Sequence, residues 1–165
     1  MKKLILLAIL LFITSNSFAH NFDLEELIKM AAMSMQEFDS YISQKGYSFK
    51  EAQEKRYVTY RSYKYNSEDI GTGCSVTKCI YPDPRESSIV YRTMEREDFF
   101  NIRMKMKRLG FRYVTTESHH DTDHDVIWLV YRKGKIRLAL RSRKGMAEGA
   151  IVDQPPFDID VNVTR

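Results

Sequence analysis

Two stretches of this chain end in the same way, and they constrain its fold more than any other feature. Residues 35–49 read MQEFDSYISQKGYSF and residues 99–113 read FFNIRMKMKRLGFRY. Aligning Gly46 with Gly110 places Met35 on Phe99, Phe38 on Ile102, Ile42 on Met106 and Tyr47 on Phe111. Apolar positions spaced 0, 3 and 7 share one face of a helix. A glycine just beyond the last turn is the usual left-handed helix stop. The chain thus writes two amphipathic helices that each stop at a Gly–aromatic pair, and strand-forming sequence follows each of them.

Upstream of the first stretch, Asp23 and Glu26 have the spacing of a reciprocal capping box, and Ser34 and Glu37 repeat it. With Leu24, Leu27, Ile28 and Ala31 on one face, the reading is a helix–turn–helix over about 24–32 and 35–45. Residues 47–53, 56–65 and 88–94, rich in Tyr, Val and Thr, read as strands. Residues 66–81, with Gly71, Gly73 and both cysteines, read as a loop. Residues 95–109 form the second principal helix, acidic at its start and basic at its end, as the helix dipole favours. Strands are expected at 111–117, 126–132 and 135–143, the last two joined by a turn at Lys133-Gly134. Pro155-Pro156 is read as a break, after which 158–163 alternates as a final edge strand. The class is α+β: two halves, each of helix plus antiparallel sheet, with the helices on one face. Either half alone would bury a marginal core, so 20–94 and 95–165 are expected to pack as one compact unit, and the shared stops suggest a duplication.

The N-terminus carries a different instruction. Lys2 and Lys3 precede ten residues without a polar side chain, and Ser17-Phe18-Ala19 offers small residues at a cleavage site. This is the layout of a secretory signal peptide over 1–19, and ten apolar residues fall short of the roughly 20 that a membrane-spanning helix needs. The short basic start has a bacterial look. The expected location is periplasmic or secreted, with no transmembrane anchoring after cleavage. Cleavage removes two lysines and no acid, lowering the formal charge from +4 to +2. So small an excess gives no reason to expect nucleic acid as a partner. Cys74 and Cys79 are the chain's two cysteines, and in an oxidising compartment they read as one local disulfide.

Chemistry-bearing motifs are sparse. There is no Gly-x-Ser-x-Gly elbow and no phosphate-cradling Gly-Lys-Ser/Thr loop, and the acid pairs sit at helix starts, where capping explains them. No catalytic residue or cofactor is assigned. The densest polar cluster is His119, His120, Asp121, Asp123 and His124, followed by Asp125. Imidazole and carboxylate are ligands for zinc, copper or nickel, so this loop is the candidate metal site. The alternative is a solvated hairpin connection whose Asp and His serve the turn.

The more diffuse signal is a surface. Tyr57, Thr59, Arg61, Tyr63 and Tyr65 share one parity of their strand. In the strand over 135–143, Leu138 and Leu140 share one face and Arg137, Arg141 and Arg143 the other. If the leucines meet the helices and the two sheets join, Tyr57, Arg61, Tyr63, Arg137, Arg141 and Arg143 would form one open, Tyr- and Arg-rich face. Tyr and Arg are enriched in protein-binding hot spots. The layout of signal peptide, helix–turn–helix and antiparallel sheet, repeated, resembles the secreted β-lactamase-inhibitory proteins and related small periplasmic binding modules. That resemblance implies inhibition or scaffolding of a protein partner through a concave sheet face. It departs from those proteins in having one cysteine pair rather than one in each half, and it carries over no contact residue. The functional expectation is a non-enzymatic protein-binding module of inhibitor, immunity or envelope-accessory type.

Overall fold

The structure, a computed structural model, describes residues 21–65, 73–121, 124–144 and 153–164, without the side chains of 119–121, 124, 125, 142–144 and 153–155. The expected signal peptide therefore lies outside the described residues. Among the described residues, three helices and an eight-stranded antiparallel sheet make up the fold, which is mixed α+β. Helices α1 (Leu24–Ala32) and α2 (Met35–Gln44) lead into β1 (Ser48–Lys55), β2 (Val58–Tyr65), β3 (Cys74–Ile80) and β4 (Glu86–Thr93). Helix α3 (Arg96–Arg108) leads into β5 (Arg112–Asp121), β6 (His124–Lys133), β7 (Ile136–Lys144) and β8 (Asp153–Thr164). The strand order is β1-β2-β3-β4-β8-β7-β6-β5. Each run of four is a meander, and the last strands of the two runs pair with each other at the centre.

Local sequence rules account for the helix ends. Glu26 N donates to Asp23 Oδ1 at 2.9 Å, and Glu37 N to Ser34 Oγ at 3.3 Å; in both boxes the glutamate carboxylate accepts the cap residue's N–H in return. At the other end, Gly46 N donates to Ser43 O and Tyr47 N to Ile42 O, with φ +84° at Gly46. Gly110 N donates to Lys107 O and Phe111 N to Met106 O, with φ +80° at Gly110. Both are the paired bonds of a Schellman stop, in which the aromatic after the glycine packs back on the last turn. All four apolar partners, Ile42, Tyr47, Met106 and Phe111, are buried.

The ladders assign each side chain to a face, because directly paired residues project to the same side. One face is continuous from Tyr63 through Val76, Tyr91, Ile159 and Leu140 to Leu129, and from Lys78 through Ile89, Val161 and Leu138 to Tyr131. This face meets the helices. Phe38 of α2 packs edge-on against Tyr63, and Phe99 of α3 stacks on Phe157 with centroids 4.7 Å apart. Lys78 Nζ bonds the Met30 and Ala31 carbonyls of α1. The other face carries Arg92, Arg137, Arg141, Asp158 and Asp160.

Four expectations are corrected here. The segment over 66–81 is not all loop: Cys74–Ile80 is β3, bonded between β2 and β4. The C-terminal strand is not at an edge. It lies between β4 and β7, and its run spans Pro155-Pro156, which fall where the β7–β8 register skips from Arg141 to Arg143. An irregularity there frees the prolines from ladder bonding. The turn between β6 and β7 comprises Gly134 and Lys135, since Lys133 pairs with Ile136. Finally, Cys74 and Cys79 form no disulfide; both are free. Five positions apart in one strand, they point to opposite faces and stand about 16 Å apart at ~3.3 Å per residue, far beyond the 7 Å limit for bridging. Compartment argued for a bond that strand geometry forbids.

Candidate functional site

The face turned away from the helices is built around β8, whose Asp158, Asp160, Asn162 and Thr164 alternate onto it. Across β4 their ladder partners are Arg92, Val90, Ser88 and Glu86. Across β7, Asp158, Asp160 and Asn162 pair with Arg141, Ala139 and Arg137, which pair in turn with Trp128, Val130 and Arg132 of β6. On β5 the row ends at Glu117, Thr115 and Arg112.

Asp158 is the fixed point of this surface, only 2% exposed. Arg92 approaches it through Nε at 2.6 Å and a terminal nitrogen at 3.0 Å, and Arg141 adds a third bond at 2.9 Å. Two guanidinium groups thus share one carboxylate. The bond to Asp158 holds the Arg92 guanidinium above its ordinary pKa. Arg141 also lies over the Trp128 ring, 5.7 Å from its centroid, within the range of a cation–π contact.

The second carboxylate, Asp160, is held less well. Arg137 reaches it at 3.2 Å and Glu117 at 3.1 Å, longer than the roughly 2.7–2.9 Å of tight charge-assisted bonds. Burial pushes the Asp160 carboxyl up to about 6, with Arg137 opposing the shift. Asp160 Oδ1 and Arg141 Nε are both buried without a partner among the described residues. An acceptor and a donor are therefore left unmatched on the same face.

Beside this network Arg112, Arg132 and Arg137 stand directly paired on three adjacent strands. Like charges placed directly opposite destabilise a sheet, and among the described residues Arg137 alone of the three has an acid bonded to it. Arg132 and Arg137 also line a cleft of about 450 Å³ with Glu86, Gly134, Lys135, Asn162 and Thr164. Three cations and one acid give it a positive interior.

The sequence-derived surface residues divide between the two faces. Arg137 and Arg141 lie on the open face. Tyr63 is on the helix side and 5% exposed, with its hydroxyl donating to Asp39 at 2.7 Å; desolvation by burial and the Asp39 bond push its pKa up to about 12. Arg61 also bonds Asp39. Tyr57 sits 65% exposed at the β1–β2 turn, under the Arg56 guanidinium. The Tyr and Arg residues thus do not form one surface. Alternation gave their parity correctly, but α2, docking through Phe38 and Asp39, took the parity expected to be open. The Arg143 side chain lies outside the described residues.

His119, His120, Asp121 and His124 belong to the end of the β5–β6 hairpin, with His120 paired to Asp125 and Asp121 to His124. Their side chains, and Asp123 altogether, lie outside the described residues. Among the described residues no group of three His, Cys, Asp or Glu could hold a metal ion, and no helix is long and apolar enough to cross a membrane.

Sequence reasoning missed Arg92, Trp128, Arg132, Asp158 and Asp160. Their signal was the acid–apolar alternation Asp158-Ile159-Asp160-Val161, legible only once β8 is known to be central. Compared with protein-family models, curated proteins and solved structures, the chain matches none.

Proposed function

We propose that this chain is an exported bacterial protein that does no chemistry of its own and holds an acidic protein partner on the open face of its sheet. The observation that carries the reading is the arginine row at 112, 132 and 137. A fold gains nothing from three directly paired guanidinium groups, whereas a partner's carboxylates would neutralise them with planar, two-point bonds. The Asp158 network beside it holds two guanidinium groups on one carboxylate, so it adds to the positive surplus that a partner meets at the row and its cleft. Trp128 supplies an aromatic beside it, the residue type on which interface energy concentrates. Export rests on the N-terminal sequence, and an inhibitor, immunity or envelope-accessory role is the class this arrangement suits.

The test is affinity capture from the cell envelope with tagged mature protein and with an Arg112→Glu/Arg132→Glu variant. Partners should be retained by the wild type, lost from the variant, and released by salt near 0.5 M, where a surface attraction is screened within about 5 Å. Identical capture by both proteins would refute the arginine row as the binding surface.

A further inference from the structure

The sheet has two edges, and they are made differently. Edge strand β1 carries Lys50, Glu51, Glu54 and Lys55 and is exposed along almost its whole length. Interspersed charge is how natural sheets keep an edge from pairing with a foreign chain. Edge strand β5 opens instead with Tyr113, Val114, Thr115 and Thr116, all exposed, with Tyr113 at 56% and Val114 at 52%. These are strand-forming residues without charge. The first residue of β5 is Arg112, where the arginine row reaches the edge.

We infer that the partner docks as an extended acidic–apolar segment added to β5 as a ninth antiparallel strand. This rests on the acidic-partner reading and specifies how the partner is held. A strand added there would lie about 4.8 Å beyond β5. Its residue opposite Arg112 would continue the row of Arg112, Arg132 and Arg137 and would be acidic, because opposite charges stabilise directly paired positions. Its neighbours of the other parity would fall on the side of Tyr113, whose ring packs against Tyr131 at 5.7 Å, and would be apolar. The backbone of β5 would bond the new strand as edges do in strand addition. The irregular register at Val114 directs the regular bonding to the residues that follow it, Thr115 to Ser118. A nucleic acid strand could use the arginines but not the backbone edge, which is why a polypeptide is favoured.

The probe is a blocked seven-residue peptide of alternating Glu and Val, with a Lys–Val peptide, a single-stranded oligonucleotide, and two Glu–Val peptides, one N-methylated at its valine amides and one at its glutamate amides, as comparisons. Amide NMR of the mature protein should show the Glu–Val peptide shifting residues from Thr115 to Ser118 and slowing hydrogen exchange at every second amide of that run, since successive strand N–H groups point to opposite edges. Methylation of the parity whose N–H groups face β5 should weaken binding tenfold or more, without any change to the protein, so one of the two methylated peptides should fail. Arg112→Glu should weaken it similarly while leaving the spectrum dispersed. Equal binding of both methylated peptides, or shifts at Arg92 and Trp128 with β5 unmoved, would overturn docking on the edge and leave the open-face reading standing. Equal binding of the Lys–Val peptide, or preferred binding of the oligonucleotide, would overturn both.

Discussion

Lys78 Nζ lies 2.6 Å from the Ala31 carbonyl oxygen, fully buried beneath the end of α1. It also donates to the Met30 carbonyl at 3.0 Å and to Ser87 Oγ at 2.6 Å. Carbonyls in the last turn of a helix have no partner within the helix, and the negative end of the dipole favours a donor there. A strand side chain thus caps α1 from below. Lys78→Ala should remove these bonds and open a cavity, destabilising the fold by about 3 kcal/mol or more. Lys78→Met keeps the volume and should cost less, about 1–3 kcal/mol, for the lost charge-assisted bonds, because Met33 N–H and the Ser87 hydroxyl still donate to the Met30 and Ala31 carbonyls. Urea unfolding of both variants measures the difference.

Asp158 joins β4 to β7 through Arg92 and Arg141. Asp158→Ala would leave two guanidinium groups facing each other over an apolar gap, at a cost of about 3 kcal/mol. Arg92 is 47% exposed on its side chain, so Arg92→Ala should cost less, about 1–2 kcal/mol. A double-mutant cycle on the pair should return a coupling well above that of a surface ion pair.

Asp160 predicts a stability slope with a definite sign. Its folded pKa of about 6 lies above the unfolded carboxyl, so between the two values the folded state holds the proton more tightly. This contribution is largest at and below the unfolded pKa, near 4, and is lost as pH rises through 6; its size is of order 3 kcal/mol. Asp160→Asn should remove this part of the pH dependence. Denaturation at a series of pH values, with a carboxyl-carbon NMR titration, checks both points. An unchanged slope in the variant would reject the assignment.

Gly46 and Gly110 occupy left-handed backbone at φ +84° and +80°, and an added Cβ would meet Tyr65 at 3.5 Å in the first and nothing within 4 Å in the second. Neither site is crowded. Gly→Ala should therefore cost about 1–2 kcal/mol at each position, from backbone conformation alone. Thermal unfolding should show two similar losses, whereas a crowding effect would separate them.

Cys74 and Cys79 should both react as thiols once the protein is unfolded, giving two equivalents per chain, and a reductant should not move the unfolding midpoint. Burial pushes both thiols above their ordinary pKa, so in the folded state they should modify slowly at neutral pH. A pair that reacts only after reduction, or a reductant-sensitive midpoint, would contradict the strand placement of β3.

Local elements were legible wherever a short-range interaction decides them. Asp23 with Glu26, Ser34 with Glu37, and the glycines at 46 and 110 each act over a few residues, so the sequence locates the three helices of the described residues to within a residue or two. β3 was hidden because its buried face holds Cys74, Val76 and Lys78, and a lysine at a core position breaks the alternation by which a strand is recognised. Only the α1 carbonyls make that lysine acceptable there. β8 was legible as a strand but not as a central one, because prolines near its start imitate an edge.

By itself the sequence determined the α+β class, the helix boundaries, the caps and stops, and the parity of side chains along β2 and β7. Tertiary structure alone decided which parity faces the helices, that β8 joins the two meanders, and that Arg92, Arg141 and Asp158 meet. The reason is range. Capping and alternation are settled between neighbours in the chain, whereas the open face depends on pairing strands as far apart as Arg92 and Asp158, and on where α2 comes to rest.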